Sequence, residues 1–246
     1  MNVIKNDNQV LETKLEALDL SESDNKLSDA AAARIKDEDQ QYTMICDCGY
    51  GWPKEKRPRS ERVRAVTRQI VNFLNWRENY TSSPCRVVVV CETESDMKPL
   101  KDSLSKFPMA KKQLEFECRN FCGDNMVYLS PDADKILDSR APPPKTVIIG
   151  MIVDRNVKVG RSKERAEILG ISSYRLPLED TKLQRLHTSE PLNIDNVMEL
   201  MERWWNNQIN PVPQSPKDQQ ATFLEASVSA LLHHQNRHPN RTLHTN

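Results

Sequence analysis

The chain reads as an α/β protein built on a parallel sheet, and three observations predict it. Apolar runs such as Arg86–Cys91, with four consecutive valines, lack the alternation of half-exposed strands and suit strands buried on both faces. These runs alternate with segments of helical period, the pattern of strands joined by crossover helices that cover both sheet faces. Three of the strand ends, at residues 130–132, 150–156 and 176–180, carry small or polar side chains. Parallel sheets place their ligands there, beyond the carboxyl ends of the strands.

Residues 1–41 form an acidic segment with little that could bury a core, so it is expected to be mostly disordered. Residues 42–210 carry the domain. A short buried strand is expected over 42–48. Ser60 is an N-cap candidate for a helix whose apolar residues Val63, Val66, Ile70, Phe73 and Leu74 recur at helical spacing. The valine-rich strand follows, then a helix carrying Leu100, Leu104 and Phe107. Met126–Leu129 is a strand, and 147–153 is another, interrupted by Gly150. Residues 162–169 form a short helix closed by Gly170 at C′. A strand over 174–178 is broken by Pro177, and a helix spans 194–205. Residues 211–246 hold a Pro-rich linker, an amphipathic helix (Phe223, Leu224, Val228, Leu231, Leu232) and a polar tail.

Of the 246 residues, 37% are hydrophobic and 28% charged, a normal core diluted by polar ends. No apolar run approaches the ~20 residues needed to span a bilayer, which predicts a soluble protein with no membrane partner. The 35 basic and 35 acidic residues balance, which argues against a nucleic-acid binder. Their distribution argues the other way. Lys54, Lys56, Arg57, Arg59, Arg62, Arg64 and Arg68 face only Glu55 and Glu61 within one run. That run is either a solvated helix face or a strip that contacts phosphates. The cysteine pairs 46/48 and 118/122 lack zinc-site spacing, so no metal is expected and all six thiols are read as reduced.

The densest polar cluster at a strand end is Val153-Asp154-Arg155-Asn156. A carboxylate there can accept a proton if it lies near the reacting atom. Pattern alone leaves equal room for Asp154 as a helix cap or a surface partner of Arg155. Gly150 permits close approach of a ligand to the backbone, or marks a bulge. No dinucleotide fingerprint, phosphate-binding loop or nucleophile elbow is present. Trp204 and Trp205 end a helix, which favours burial over stacking on a base.

Taken in order, Tyr128-Leu129-Ser130-Pro131-Asp132, Val147 through Asn156, Lys163 to Ile171, Arg175-Leu176-Pro177-Leu178 and Leu192 to Val197 resemble one family. They are similar to the tRNA N1-purine methyltransferases that act on the ninth nucleotide, members of the SPOUT class. The resemblance covers roughly 42–211 and is densest from Tyr128 onward. It implies a SPOUT-type parallel sheet with a C-terminal trefoil knot, and S-adenosylmethionine as cofactor, held bent by the loops after three strands. Leu129, Gly150, Asn156, Lys158, Ser162, Leu176, Leu192 and Asn193 take the cofactor positions by that resemblance. Asp154 takes the position of the general base that removes the N1 proton of guanine.

Within the family, a single glycine at Gly150-Met151, an acid within residues 192–196 and the segment Thr222-Phe223-Leu224-Glu225 resemble the methyltransferase subunit of mitochondrial ribonuclease P. This branch implies tRNA or precursor tRNA as substrate, a short-chain dehydrogenase and a protein-only nuclease as partners, and the mitochondrion as location. The acidic start has no Arg-rich presequence character, which leaves a nuclear or cytoplasmic enzyme acting alone as the alternative. A weakly active tRNA-holding scaffold is the other.

Overall fold

The computed structural model describes residues 41–79, 85–119, 121, 125–153, 159–178, 192–209, 223, 226–228 and 230. The chain divides into two units, Met1–Gln41 and Tyr42–Asn246, and the architecture below is that of the second.

Seven strands form one sheet in the order β3-β2-β1-β6-β4-β7-β5, every neighbouring pair parallel. In chain order they are β1 (Thr43–Asp47), β2 (Arg86–Cys91), β3 (Glu115–Cys118), β4 (Met126–Leu129), β5 (Lys135–Ile136), β6 (Thr146–Gly150) and β7 (Ser173–Arg175). Helices α1 (Lys56–Glu78), α2 (Glu94–Leu104), α3 (Pro108–Gln113) and α5 (Ile194–Ile209) build the larger core with Met44, Cys46, Val87, Val89, Val147 and Ile149. Helix α4 (Arg161–Ile168) covers the opposite face through Ala166, against Ile45, Val88, Val90, Tyr128 and Ile148. Successive strand residues point to opposite faces, so one apolar run feeds both cores.

The chain runs outward from β1 through β2 to β3, then crosses to β4 and β5 in the other half of the sheet and returns to lay β6 beside β1 on its other edge. The carboxyl ends of β1 and β6 therefore flank a point where strand order reverses, and Asp47 faces Val90 on one side and Gly150 on the other.

Several expectations shift in the structure. Helix α1 starts at Lys56 with Glu55 at the N-cap, and the Ser60 hydroxyl donates to the Lys56 carbonyl inside the helix instead of capping it. Pro58 fits the first turn, where its missing N–H costs nothing, so the helix extends upstream of its apolar stripe. Helix α2 ends at Leu104, and Phe107 becomes the N-cap of α3. Strands β3 and β5 had no clear sequence signal: β3 is only partly buried and β5 is two exposed residues. Strand β6 stops at Gly150 rather than 153, because the Ile152 N–H turns back to the Gly150 carbonyl. Gly150 stays in register with Asp47, so it marks no bulge. Helix α4 ends as read, with Gly170 left-handed at φ 68°.

Helix α5 is buried on nearly every side and extends to Ile209. Trp204 and Trp205 are both fully buried, so neither offers a face to a base. Trp205 stacks on Tyr42 at 5.1 Å and donates its indole N–H to the Pro144 carbonyl at 3.0 Å. Trp204 meets Phe223 edge-on at 4.7 Å, and Phe223, Ala226 and Ala230 complete the core there. Leu224, Leu231 and Leu232 lie outside the described residues. Among the described residues, no helix is long and apolar enough to cross a membrane.

Candidate functional site

The parallel register brings three of the sequence-derived site residues to one end of the sheet. Leu129 closes β4 and pairs with Ile149 of β6 and Tyr174 of β7. Gly150 and Leu176 follow those two partners by one and two residues. Leu129, Met151 and Ile194 are buried in the larger core, and Leu176, Leu178 and Leu192 are half-buried against it. They give the core reached by these strand ends a partly exposed apolar margin. Asn193 stands at the start of α5, its carbonyl accepting the N–H groups of Asn196 and Val197 at 3.1 Å each.

Ser162 goes elsewhere. It lies in the first turn of α4, on the other face, and its hydroxyl donates to the Ser130 hydroxyl at 2.7 Å. That bond belongs to a clamp between the loop after β4 and the start of α4. The Asp132 carboxylate accepts the N–H of Gly160, the N-cap of α4, at 2.7 Å, and Lys163 reaches Asp134 at 2.8 Å. Asp132 thus satisfies one of the unpaired amides at a helix start, and Gly160, not Asp154, occupies the cap position. Asp154, Asn156 and Lys158 lie outside the described residues.

Next to Asn193, the first turn of α5 is unusually polar for a buried segment. The Asp195 carboxylate accepts from the Asn72 amide at 3.1 Å, and the Asp195 N–H donates to Gln69 Oε1 at 3.2 Å. Both partners come from α1. Asn196 is buried, and among the described residues neither its side-chain oxygen nor its nitrogen is paired.

A second polar group lies at the ends of β1, β4 and β6 on the α4 face. Asp47 is fully buried; its Oδ1 accepts the Gly49 N–H at 2.8 Å. Its Oδ2 accepts the Tyr128 hydroxyl at 2.9 Å and the Arg165 Nε–H at 3.1 Å. Arg165 also pairs with Glu92 at 2.8 Å. Tyr50 and Tyr128 share a 2.5 Å hydroxyl contact. Burial, reinforced by the Asp47 charge, pushes both phenols upward, so they keep their protons at neutral pH. Sequence reading passed over this group. Its one signal is an acid ending an apolar strand followed by Gly49-Tyr50-Gly51, and no local spacing links that to Tyr128 or Arg165.

The basic run lies on α1 and just before it. Lys54, Lys56, Arg57, Arg59, Arg64 and Arg68 are exposed, and the first turn of α1 holds no acid. Arg59 folds back on the carbonyls of Pro53 and Lys54, at 2.9 and 3.0 Å.

Comparison with known proteins gives a consistent picture. A family model described as tRNA (guanine(9)-N(1))-methyltransferase TRM10/TRM10A matches residues 4–209. A tRNA (guanine(9)-N1)-methyltransferase of Debaryomyces hansenii is 35% identical over 81 residues, 33% of this chain and 22% of that protein. The match thus spans about a fifth of that relative's length. Among solved structures, the full-length spTrm10–SAH complex is similar over 76% of this chain and 96% of its own, with a TM-score of 0.52 at 16% identity. The spTrm10(74) structure gives 0.53 at 17% identity, over 75% of this chain and 92% of its own. At such identities the likeness is one of fold.

Proposed function

Because the chain belongs to the tRNA (guanine(9)-N(1))-methyltransferase TRM10/TRM10A family, we propose that it transfers a methyl group from S-adenosylmethionine to N1 of the purine at the ninth nucleotide of tRNA. The observation that carries this is the convergence of Leu129, Gly150 and Leu176 at the carboxyl ends of three adjacent parallel strands, on the core against which Leu192 also packs. A partly exposed apolar margin with peptide groups from three strand ends suits a flat heterocycle recognised through backbone amides. When bound, the cofactor supplies an electrophilic methyl group. The same reading carries the trefoil knot of the SPOUT class.

The protein's own work is to orient and to deprotonate. N1 of guanine carries a proton and is a poor nucleophile until that proton leaves, and Asp154 is the base assigned to take it. Holding N1 in line with the methyl carbon contributes an orientation effect that can reach several kcal/mol. The target base must first leave its stack. The exposed cations of α1 suit contact with the tRNA backbone, whose phosphates need no sequence-specific partner.

The finer assignment is a subunit of mitochondrial ribonuclease P, acting on precursor tRNA beside a short-chain dehydrogenase and a protein-only nuclease. It is supported by Met151 following a single glycine and by the acid at Asp195, two points of resemblance to that branch.

The test is incubation of purified protein with methyl-labelled S-adenosylmethionine and a mitochondrial precursor tRNA, with and without the dehydrogenase, beside Asp154→Asn. Label at N1 of the ninth purine, lost in the variant, is expected. Cofactor and tRNA binding without label would refute catalysis and leave a scaffold. Full activity without the dehydrogenase, together with nuclear or cytoplasmic location of the tagged protein, would remove the ribonuclease P assignment.

A further inference from the structure

The Asp47 cluster has no part in the reaction as set out above, yet its contacts converge on the strand end from which the motif acid follows. Tyr128 has one hydroxyl proton and gives it to Asp47 Oδ2, so the Tyr50–Tyr128 contact must be donated by Tyr50. The hydrogen-bond chain therefore has one direction: Tyr50 to Tyr128 to Asp47, with Arg165 closing it from α4. Two guanidinium groups of α4 lie near the Tyr50 ring, Arg161 at 5.3 Å and Arg165 at 5.9 Å from its centroid.

Both hydroxyls occupy the space that a side chain at Gly150 would need. A Cβ built there would lie 2.6 Å from Tyr50 Oη, closer than side chains pack, and 3.0 Å from Tyr128 Oη, a tight contact. A larger residue at this position would have to displace one or both tyrosines. The Asp47 carbonyl accepts the Met151 N–H at 2.8 Å, pinning the next residue as well. Strands β1 and β4 and Tyr50 meet on two consecutive residues, and Asp154 follows Met151 by three residues.

We propose that Tyr50 and Tyr128 are positioning residues: their linked hydroxyls, anchored on Asp47, fix the backbone of Gly150 and Met151 in the geometry methyl transfer requires. This rests on the methyltransferase reading. Orientation makes the brace matter, because a displacement of about 1 Å at a reacting group can cost about a hundredfold in rate. Tyr128 also precedes Leu129 and Ser130, so the same hydroxyl chain ties the β4 end to the β6 end.

The test compares Tyr50→Phe and Tyr128→Phe with the wild-type full-length protein in two ways. Amide hydrogen exchange reports the brace without catalysis. In both variants the peptide over 149–153 should exchange about tenfold faster, while that over Arg86–Cys91 keeps its rate. Steady-state methylation of a tRNA transcript with guanine at position nine should show kcat falling about tenfold. KM for tRNA and for S-adenosylmethionine should stay within about twofold. Gly150→Ala should lower kcat further, and Tyr50→Leu in that background should restore part of it by removing the two Tyr50 atoms nearest the new methyl. Unchanged exchange at 149–153, or an equal rise throughout the sheet, overturns the brace. A proportional rise in KM with kcat intact overturns the positioning role. Absence of methylation by the wild-type protein overturns the methyltransferase reading instead, and the exchange data then judge the brace alone.

Discussion

Replacing Asp47 by Asn tests the physics of the buried cluster, because it changes charge and hydrogen-bond capacity while keeping shape. The carboxylate accepts three bonds, from the Gly49 N–H, the Tyr128 hydroxyl and Arg165 Nε. An amide has one oxygen to offer. If that oxygen faces Tyr128 and Arg165, the new NH2 group confronts the Gly49 N–H. If it faces Gly49, the NH2 group confronts Arg165. Tyr128 can turn and accept, but neither nitrogen can. One buried donor–donor contact therefore replaces a bond, at about 1–3 kcal/mol for the unsatisfied group. The guanidinium also loses a buried opposite charge. Breaking such a pair outright costs about 3–5 kcal/mol, but Arg165 keeps Glu92, so the lower end applies. We expect a total near 3 kcal/mol, and a melting temperature lowered by about 6–12 °C for a domain of this size. Thermal unfolding followed by circular dichroism, with urea titration at 25 °C, measures both. A melting temperature within about 2 °C of wild type would show that the carboxylate is not the hub of the cluster.

The Arg77–Glu202 pair joins α1 to α5 with both side chains buried at 3.0 Å, and Arg77 also donates to the Cys85 carbonyl. Arg77→Leu, which strips a fully buried carboxylate of its guanidinium, should cost about 3–5 kcal/mol, whereas adding Glu202→Leu should recover more than half; urea midpoints decide, and additive losses would refute the argument. Burial, with help from Asp47, pushes the Cys46 thiol up to about 12, and Cys48, through its bond to Cys91 and then burial, also lies well above its ordinary value. Below pH 9 these thiols are protonated in both states; as pH rises from 9 toward 12 only the unfolded chain loses the proton, so stability falls over that window by up to about 1.4 kcal/mol per unit and thiol. Urea titrations at pH 8.5, 9.5 and 10.5 should show the decline, shallower in Cys46→Ala, and a flat profile would contradict it.

The sequence by itself determined the sheet's class and most of its elements, because burial on both faces and helical period are local patterns. Four consecutive valines at 87–90 can only belong to a strand covered from both sides, and Gly170 can close a helix because of its own free φ. The order of motifs from Tyr128 onward was enough to indicate the family. Tertiary structure alone decided which of the singled-out residues meet. Leu129, Gly150 and Leu176 come together only through the register of β4, β6 and β7, and Ser162 leaves that group for Ser130 on the opposite face. The Asp47–Tyr128–Arg165 contacts span 81 and 118 residues of chain, a separation over which no periodicity carries information. The neighbours of Gly150 were equally hidden: a glycine in a strand looks the same whether or not two tyrosine hydroxyls lie in the space a side chain would need. Elements follow from patterns along the chain, but a site follows from which strand ends lie side by side, and only the folded sheet sets that order.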